Sequence, residues 1–226
     1  MNSHDNITEC ICCGTCCKKG GPAFHKADKA LIEKGLIKSN NLFTIREGEP
    51  AYDNIKECIQ PVASDIIKIK NKKSSRTCIF FDEIQRICLI YKKRPLECQV
   101  LQCWDTRAIE ALYSKDRLTR KDLLEKNEGI WEIIKDHQEH CCYEKLAELV
   151  KNYRFQADQK SKTAILEMIR YDAHMRDLII EKSHLAPDLL DFLFGSPLYK
   201  TIQRFHLRLQ TDNNKLTLKA LNLNNR

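Results

Sequence analysis

Apolar residues along the 226-residue chain fall into two textures. Up to about residue 105 they come in short runs broken by glycine, proline and polar clusters. Beyond it they recur at i, i+3 and i+4, the spacing of amphipathic helices. Residues 26–37 (KADKALIEKGLI) predict a short helix with Ala30, Leu31 and Leu36 buried. Leu42–Arg46 alternates as a strand, which Glu47-Gly48-Glu49-Pro50 stops. Residues 51–61 read as irregular, with Cys58 as a buried packing residue, and Asp65–Lys70 as another strand. Cys78-Ile79-Phe80-Phe81 and Arg86–Tyr91, separated by Asp82–Gln85, predict a β-hairpin with Cys78 and Cys88 on its two arms. Pro95 cannot pair in a strand, so the chain must leave the sheet there, in a turn able to carry Cys98 back toward Cys88.

The second texture begins at Thr106–Ser114, a short helix, and continues in Thr119–Asn127, where Thr119 and Asp122 resemble a capping box. Ile130, Ile133, Ile134, His137 and Cys141 share one helical face, whereas Leu146, Leu149 and Val150 share another. The change of face predicts a break near His140–Cys142. Lys162–Lys182 is amphipathic, with a stripe of Ile165, Met168, Ile169, Met175, Leu178 and Ile179 and a solvated His174 opposite. Pro187 opens a helix that Gly195 ends, Pro197–Gln210 reads as helical, and Lys215–Asn222 as a last strand. The predicted class is therefore α+β: a small cysteine-rich half with a short hairpin or sheet, then a mainly helical half. The boundary falls near residue 105, giving units 1–105 and 106–226, the second packed on the first or continuous with it.

Composition changes this picture little. Hydrophobic content of 42%, charged content of 31% and a net charge of +7 describe an ordinary globular protein with a mild basic bias. Charge alone gives only weak support to a protein or nucleic-acid partner. The first residues, MNSHDNITEC, lack the basic and apolar regions of a signal peptide, and no apolar run is long enough to span a membrane. A cytoplasmic chain follows as the expectation, and there clustered cysteines mean metal or catalysis more often than disulfides.

Twelve cysteines change it decisively. Five of the eight residues from Cys10 to Cys17 are cysteine, and no core needs that many small hydrophobes so close together. Cys10, Cys13, Cys16 and Cys17 form Cys-x2-Cys-x2-Cys-Cys, a spacing that lets a tight turn aim sulfurs at one point. Gly14 supplies the positive φ such a turn needs. Cys78, Cys88, Cys98 and Cys103 form the second group, and together the eight thiolates satisfy two four-coordinate sites. Soft thiolates select zinc or an iron–sulfur cluster, with the cluster favoured slightly. Successive side chains diverge, so Cys16 and Cys17 are not expected to complete one compact site together, and Cys12 reads as spare. Lys18 and Lys19 would favour ionised thiols nearby. His137 and Cys141 share a helix face at i, i+4, and with His140 and Cys142 form a weaker group, read as packing rather than ligation. No nucleophile–base pair, glycine-rich phosphate loop or radical-SAM cysteine spacing occurs, so no reaction or catalytic residue is assigned.

Cys10, Cys13, Gly14, Cys16 and Cys17, then Cys78 to Phe81, then Cys88, Ile90, Tyr91, Arg94, Pro95 and Cys98 together resemble the YkgJ-type cysteine-cluster proteins. The match covers about residues 10–104, and Cys103-Trp104-Asp105-Thr106 resembles a subgroup. This family is described as candidate zinc- or iron-chelating, or iron–sulfur, proteins, so the resemblance implies a metal site and no particular reaction. A related cluster occurs in flagellin lysine N-methylases, but this chain has no evident S-adenosylmethionine loop. Three readings follow. The first is a cytoplasmic metal-binding protein; the second is an iron–sulfur enzyme acting on a protein or nucleic acid, with the helical half as recognition surface. The third is a zinc-stapled interaction module. An open cleft with basic walls beside the cysteines would favour the enzyme, and a site closed on all sides would favour the staple.

Overall fold

A computed structural model describes residues 10–183, 185–212 and 215–221. In chain order the elements are α1 Thr15–Lys18, α2 Lys29–Glu33, β1 Leu42–Ile45, β2 Pro50–Asp53, β3 Cys58–Pro61 and β4 Ile66–Ile69. There follow β5 Phe81–Asp82, β6 Ile87–Cys88, α3 Leu96–Val100, α4 Arg107–Leu112, α5 Arg120–Leu124 and α6 Glu128–His140. The remainder are α7 Tyr143–Gln156, α8 Gln159–Ser183, α9 Leu190–Phe194, α10 Leu198–Thr201, β7 Leu207–Asp212 and β8 Lys215–Ala220. The class is α+β, with antiparallel strand pairs β1–β4, β2–β3, β5–β6 and β7–β8.

Two apolar cores hold these elements. In the first, Leu42, Ile67 and Ile69 from the β1–β4 pair pack with Phe24, Phe81, Leu118, Ile134, Phe192 and Phe194. That list takes residues from both sides of position 105. Thr44 donates its hydroxyl to Phe192 O at 2.6 Å, and the buried Arg120 donates to Asp65 at 2.6 Å and Leu193 O at 2.7 Å. These bonds fix α9 and α5 against the strands. In the second core Tyr143, Leu146 and Val150 of α7 meet Ile165, Met168 and Ile169 of α8 under Leu207 and Leu218 of the last hairpin.

Much of the local chemistry acts as the pattern implies. Thr119 Oγ1 accepts from Asp122 N–H, while Asp122 Oδ2 accepts from Thr119 N–H, a capping box in which aspartate does the work of glutamate. The chain breaks between His140 and Tyr143, and His174 is exposed.

Four expectations are corrected. The first helix stops at Glu33, because Gly35 turns left-handed and lets Ile37 N–H reach Leu31 O at 2.9 Å. Ile37 is then buried, while Ala30 and Leu36 face solvent. Residues 51–61 are not irregular but contain the β2–β3 hairpin, whose tip is organised by Asp53 Oδ1 accepting from Ile55 N–H and Lys56 N–H at 2.9 Å each. Cys58 begins β3 and is exposed, not packed. The segment after Pro197 leaves the helix at His206, which is left-handed, and Leu207 and Leu209 then alternate as a strand against β8. The last predicted strand is β8 itself, although its expected end, Asn222, lies outside the described residues.

Candidate metal centre

The first cysteine segment reaches its site through Gly14. Its φ is +77°, and a Cβ there would fall 2.1 Å from the Phe81 ring, so conformation and space both demand glycine. From Gly14 the chain makes the single turn α1, which carries Cys16 and Cys17. Cys78 N–H donates to Cys17 O at 2.8 Å, binding α1 to the chain before β5. Within the small hairpin Phe81 is paired with Cys88. Pro95 then opens α3, and Asp28 anchors that helix by accepting Leu96 N–H at 2.8 Å. Replacing Gly14 by alanine adds backbone strain to a ring clash, and is expected to destabilise the fold by about 2–4 kcal/mol. Thermal melting of the variant tests this, and an unchanged midpoint would refute it.

These elements bring Cys16, Cys17, Cys78, Cys88 and Cys98 together. The Sγ atoms of Cys16 and Cys17 lie 4.0 Å apart. Two sulfurs on one tetrahedral ion, at about 2.3 Å from it, are separated by about 3.8 Å. The expectation that neighbouring cysteines diverge is therefore corrected: within one helical turn the two thiols lean to the same side.

The thiols also sense one another. The Cys17 thiol hydrogen-bonds Cys16 and lowers its pKa to about 6, while Cys17 itself is driven well above the thiol range. The hydrogen bond to Cys16 is the main cause of that rise, followed by burial and the charges of Cys78 and Cys98. Burial raises Cys78, and burial with the Cys78, Cys16 and Cys88 charges raises Cys98 strongly. Soft donors among which Cys17, Cys78 and Cys98 resist ionisation fit a bound cation, which removes the protons and the repulsion together.

The other cysteines are placed differently. Cys10 is exposed at the edge of the same cleft. Cys13 is half-buried and within charge range of Cys16, with its thiol lowered by Thr15, whose hydroxyl is 3.3 Å away. Cys12 is exposed, with a left-handed backbone (φ 53°). Cys103 follows α3, is exposed and does not line the cleft.

A cleft of about 1120 Å³ opens beside the five thiols. Cys16, Cys17, Cys78, Cys88 and Cys98 form one wall, and Tyr52, Gln60, Tyr113 and Trp104 contribute elsewhere. The tip of the β2–β3 hairpin closes toward α4, where Asn54 N–H donates to the Tyr113 hydroxyl at 3.2 Å. Basic side chains reach in as well: Lys68, Arg117, and Arg94, whose guanidinium stacks 3.7 Å over the Tyr91 ring. Sequence reading missed this lining. Strand alternation offers one trace of it, since Ile67 and Ile69 are buried and Lys68 must face the other way.

The weaker His137–Cys141 pair lies wholly in the core and gains a partner that helical spacing does not reveal, Asp172 of α8. Ligand-type atoms of the three fall within 4.8 Å of one another. Their charges are already committed, however. Asp172 Oδ1 accepts from His137 Nε2 at 2.8 Å and Arg176 Nε at 2.9 Å, and Oδ2 accepts from Leu198 N–H at 2.8 Å. Burial drives the His137 pKa down to about 4, helped by the Arg46 and Arg176 charges and opposed by Asp172. The ring is thus neutral, donates through Nε2 and leaves Nδ1 without a partner. Two guanidiniums within charge range make this a poor seat for a cation, and the group reads as a buried polar network. His140 instead stacks on Tyr171, and the Cys142 thiol donates to Glu144 at 2.8 Å.

Among the described residues no helix is long and apolar enough to cross a membrane. The family model CxxCxxCC, described as a candidate zinc- or iron-chelating domain, matches residues 9–163, and the chain belongs to that family. No curated protein and no solved structure matches the chain.

Proposed function

We propose, on the premise of that membership, that the chain is a cytoplasmic metalloprotein whose thiolate centre serves a ligand cleft. The observation that carries this reading is the convergence of Cys16, Cys17, Cys78, Cys88 and Cys98 on the wall of that cleft. A metal that only staples a fold is enclosed by its ligands, whereas this site opens on space for a small molecule between basic walls. We assign the five converging thiols as the principal ligands. Cys10, in the cleft lining, and Cys13, within charge range of Cys16, serve as outer donors, and Cys103 enters only through its motif. In this division of labour residues 1–105 supply the donors and 106–226 brace them.

An iron–sulfur cluster is the reading we favour, because more than four thiols converge and one side stays open. Bound there, it would supply electron transfer or Lewis acidity. Zinc is supported by one observation, the 4.0 Å separation of Cys16 and Cys17, which suits two donors on a single ion. Metal analysis with a visible spectrum on anaerobically purified protein separates the two. Visible absorption that bleaches on reduction, with iron and sulfide present, is expected. Colourless protein with stoichiometric zinc would overturn the cluster, and metal-free protein would overturn both.

A further inference from the structure

The cleft lining contains a lysine, Lys68, that forms no ion pair among the described residues. Lys68 stands on β4 with Ile67 and Ile69 turned into the core, so its side chain points the other way and lines the cleft. The nearest acid is Glu97 of α3, and its oxygens are already taken. Oε1 accepts from Arg117 at 2.6 Å with His25 Nε2 at 3.4 Å, and Oε2 accepts from Ala23 N–H at 2.7 Å. Among the described residues no carboxylate forms an ion pair with Lys68. Lys68 and Arg117 therefore share the neighbourhood of one carboxylate, and the bonds of that carboxylate go to Arg117, His25 and Ala23. Burial pulls the Lys68 pKa down, as expected for a cation short of compensation.

We infer that the cleft is a binding site for a small organic anion, with its carboxylate or phosphate seated on the Lys68 ammonium beside the thiolates. The surroundings suit the rest of such a molecule. Ile45, Ile66 and Ile109 offer apolar wall, Tyr52 and Tyr113 aromatic faces, and Gln60 an amide. The volume, about 1120 Å³, is at the upper end of small-molecule sites, so an anion with an organic body fits better than a bare inorganic ion. A charged hydrogen bond in a low-dielectric recess is strong enough to govern selection. The inference concerns the cleft and does not depend on which metal the thiolates hold.

Its main rival is that Lys68 offsets the charge of the metal-bound thiolates, since Cys98 lies within its electrostatic range. Lys68→Met keeps the length and apolar stem while removing the charge, so folding should survive. Calorimetric titration with benzoate and with phenyl phosphate at fixed ionic strength, against phenol as the neutral control, is the test. Metal content and melting temperature are measured on the same samples. Wild-type protein is expected to bind at least one anion saturably and phenol not at all. Lys68→Met is expected to bind that anion about 10–100-fold more weakly at unchanged metal content. The better of the two probes reports whether carboxylate or phosphate is preferred. Equal affinity in the variant, no saturable binding to the wild type, or loss of metal with anion binding intact would each overturn the inference. Metal-free wild type that still binds the anion through Lys68 would sink the metal reading alone.

Discussion

Cys98→Ser protein is expected to purify without its metal and to melt roughly 5–11 °C below the wild type. Burial and the charges of Cys78, Cys16 and Cys88 all resist ionisation of the thiol at position 98. Only a cation at the centre makes those thiolates compatible, so binding and deprotonation proceed together. Serine offers a hard, weakly acidic oxygen where a soft donor is needed. A metal present at about 100 times its dissociation constant stabilises the folded state by about 2.7 kcal/mol. For a chain of this size each kcal/mol moves the midpoint by about 2–4 °C. Cys58→Ser is the control, because that thiol is exposed on the β2–β3 hairpin. Full metal occupancy in Cys98→Ser, or equal loss in Cys58→Ser, would remove Cys98 from the ligand set.

The second large effect lies in the buried network on α6 and α8. Asp172→Asn is expected to destabilise the fold by about 3–5 kcal/mol, the consequence of leaving a buried charge without its partner. Arg176, one of the groups stranded, has little exposure and otherwise donates, among the described residues, to Phe194 O and Gly195 O. The midpoint should fall by roughly 6–20 °C. Acid should reach the same network through His137. Its folded pKa, about 4, is below the ordinary 6.5, so between these values the unfolded chain binds the proton that the folded protein refuses. Stability therefore rises with pH across this window, is fully present above pH 6.5, and is lost on acidification toward pH 4. The loss amounts to about 3 kcal/mol at 1.4 kcal/mol per pH unit. His137→Gln should flatten that part of the melting-temperature profile. A variant whose profile still parallels the wild type between pH 4 and 6.5 would show that another group carries the acid response.

How far these sites could be read beforehand depended on distance along the chain. Gly14, Pro95, the Thr119–Asp122 cap and the break at His140–Tyr143 are settled by neighbours a few residues away, and their chemistry shows in order of sequence. Cysteine spacing likewise announces a metal centre, because a run of such residues serves no core. The β2–β3 hairpin and β7 escaped notice because short strands form only when a partner supplies their hydrogen bonds. Exposed apolar side chains such as Ile59 also disguise the pattern.

By itself, then, the sequence determined the α+β class, the thiolate chemistry and the turns that aim the first cysteines. Tertiary structure alone decided which thiols meet, that Cys58 faces solvent, that Asp172 joins His137, and that Lys68 stands in the cleft with Glu97 already occupied. The reason is physical. Spacing constrains a backbone turn over a few residues, whereas the approach of Cys17 to Cys78, or of His25 to Glu97, depends on how separate elements pack around a shared core.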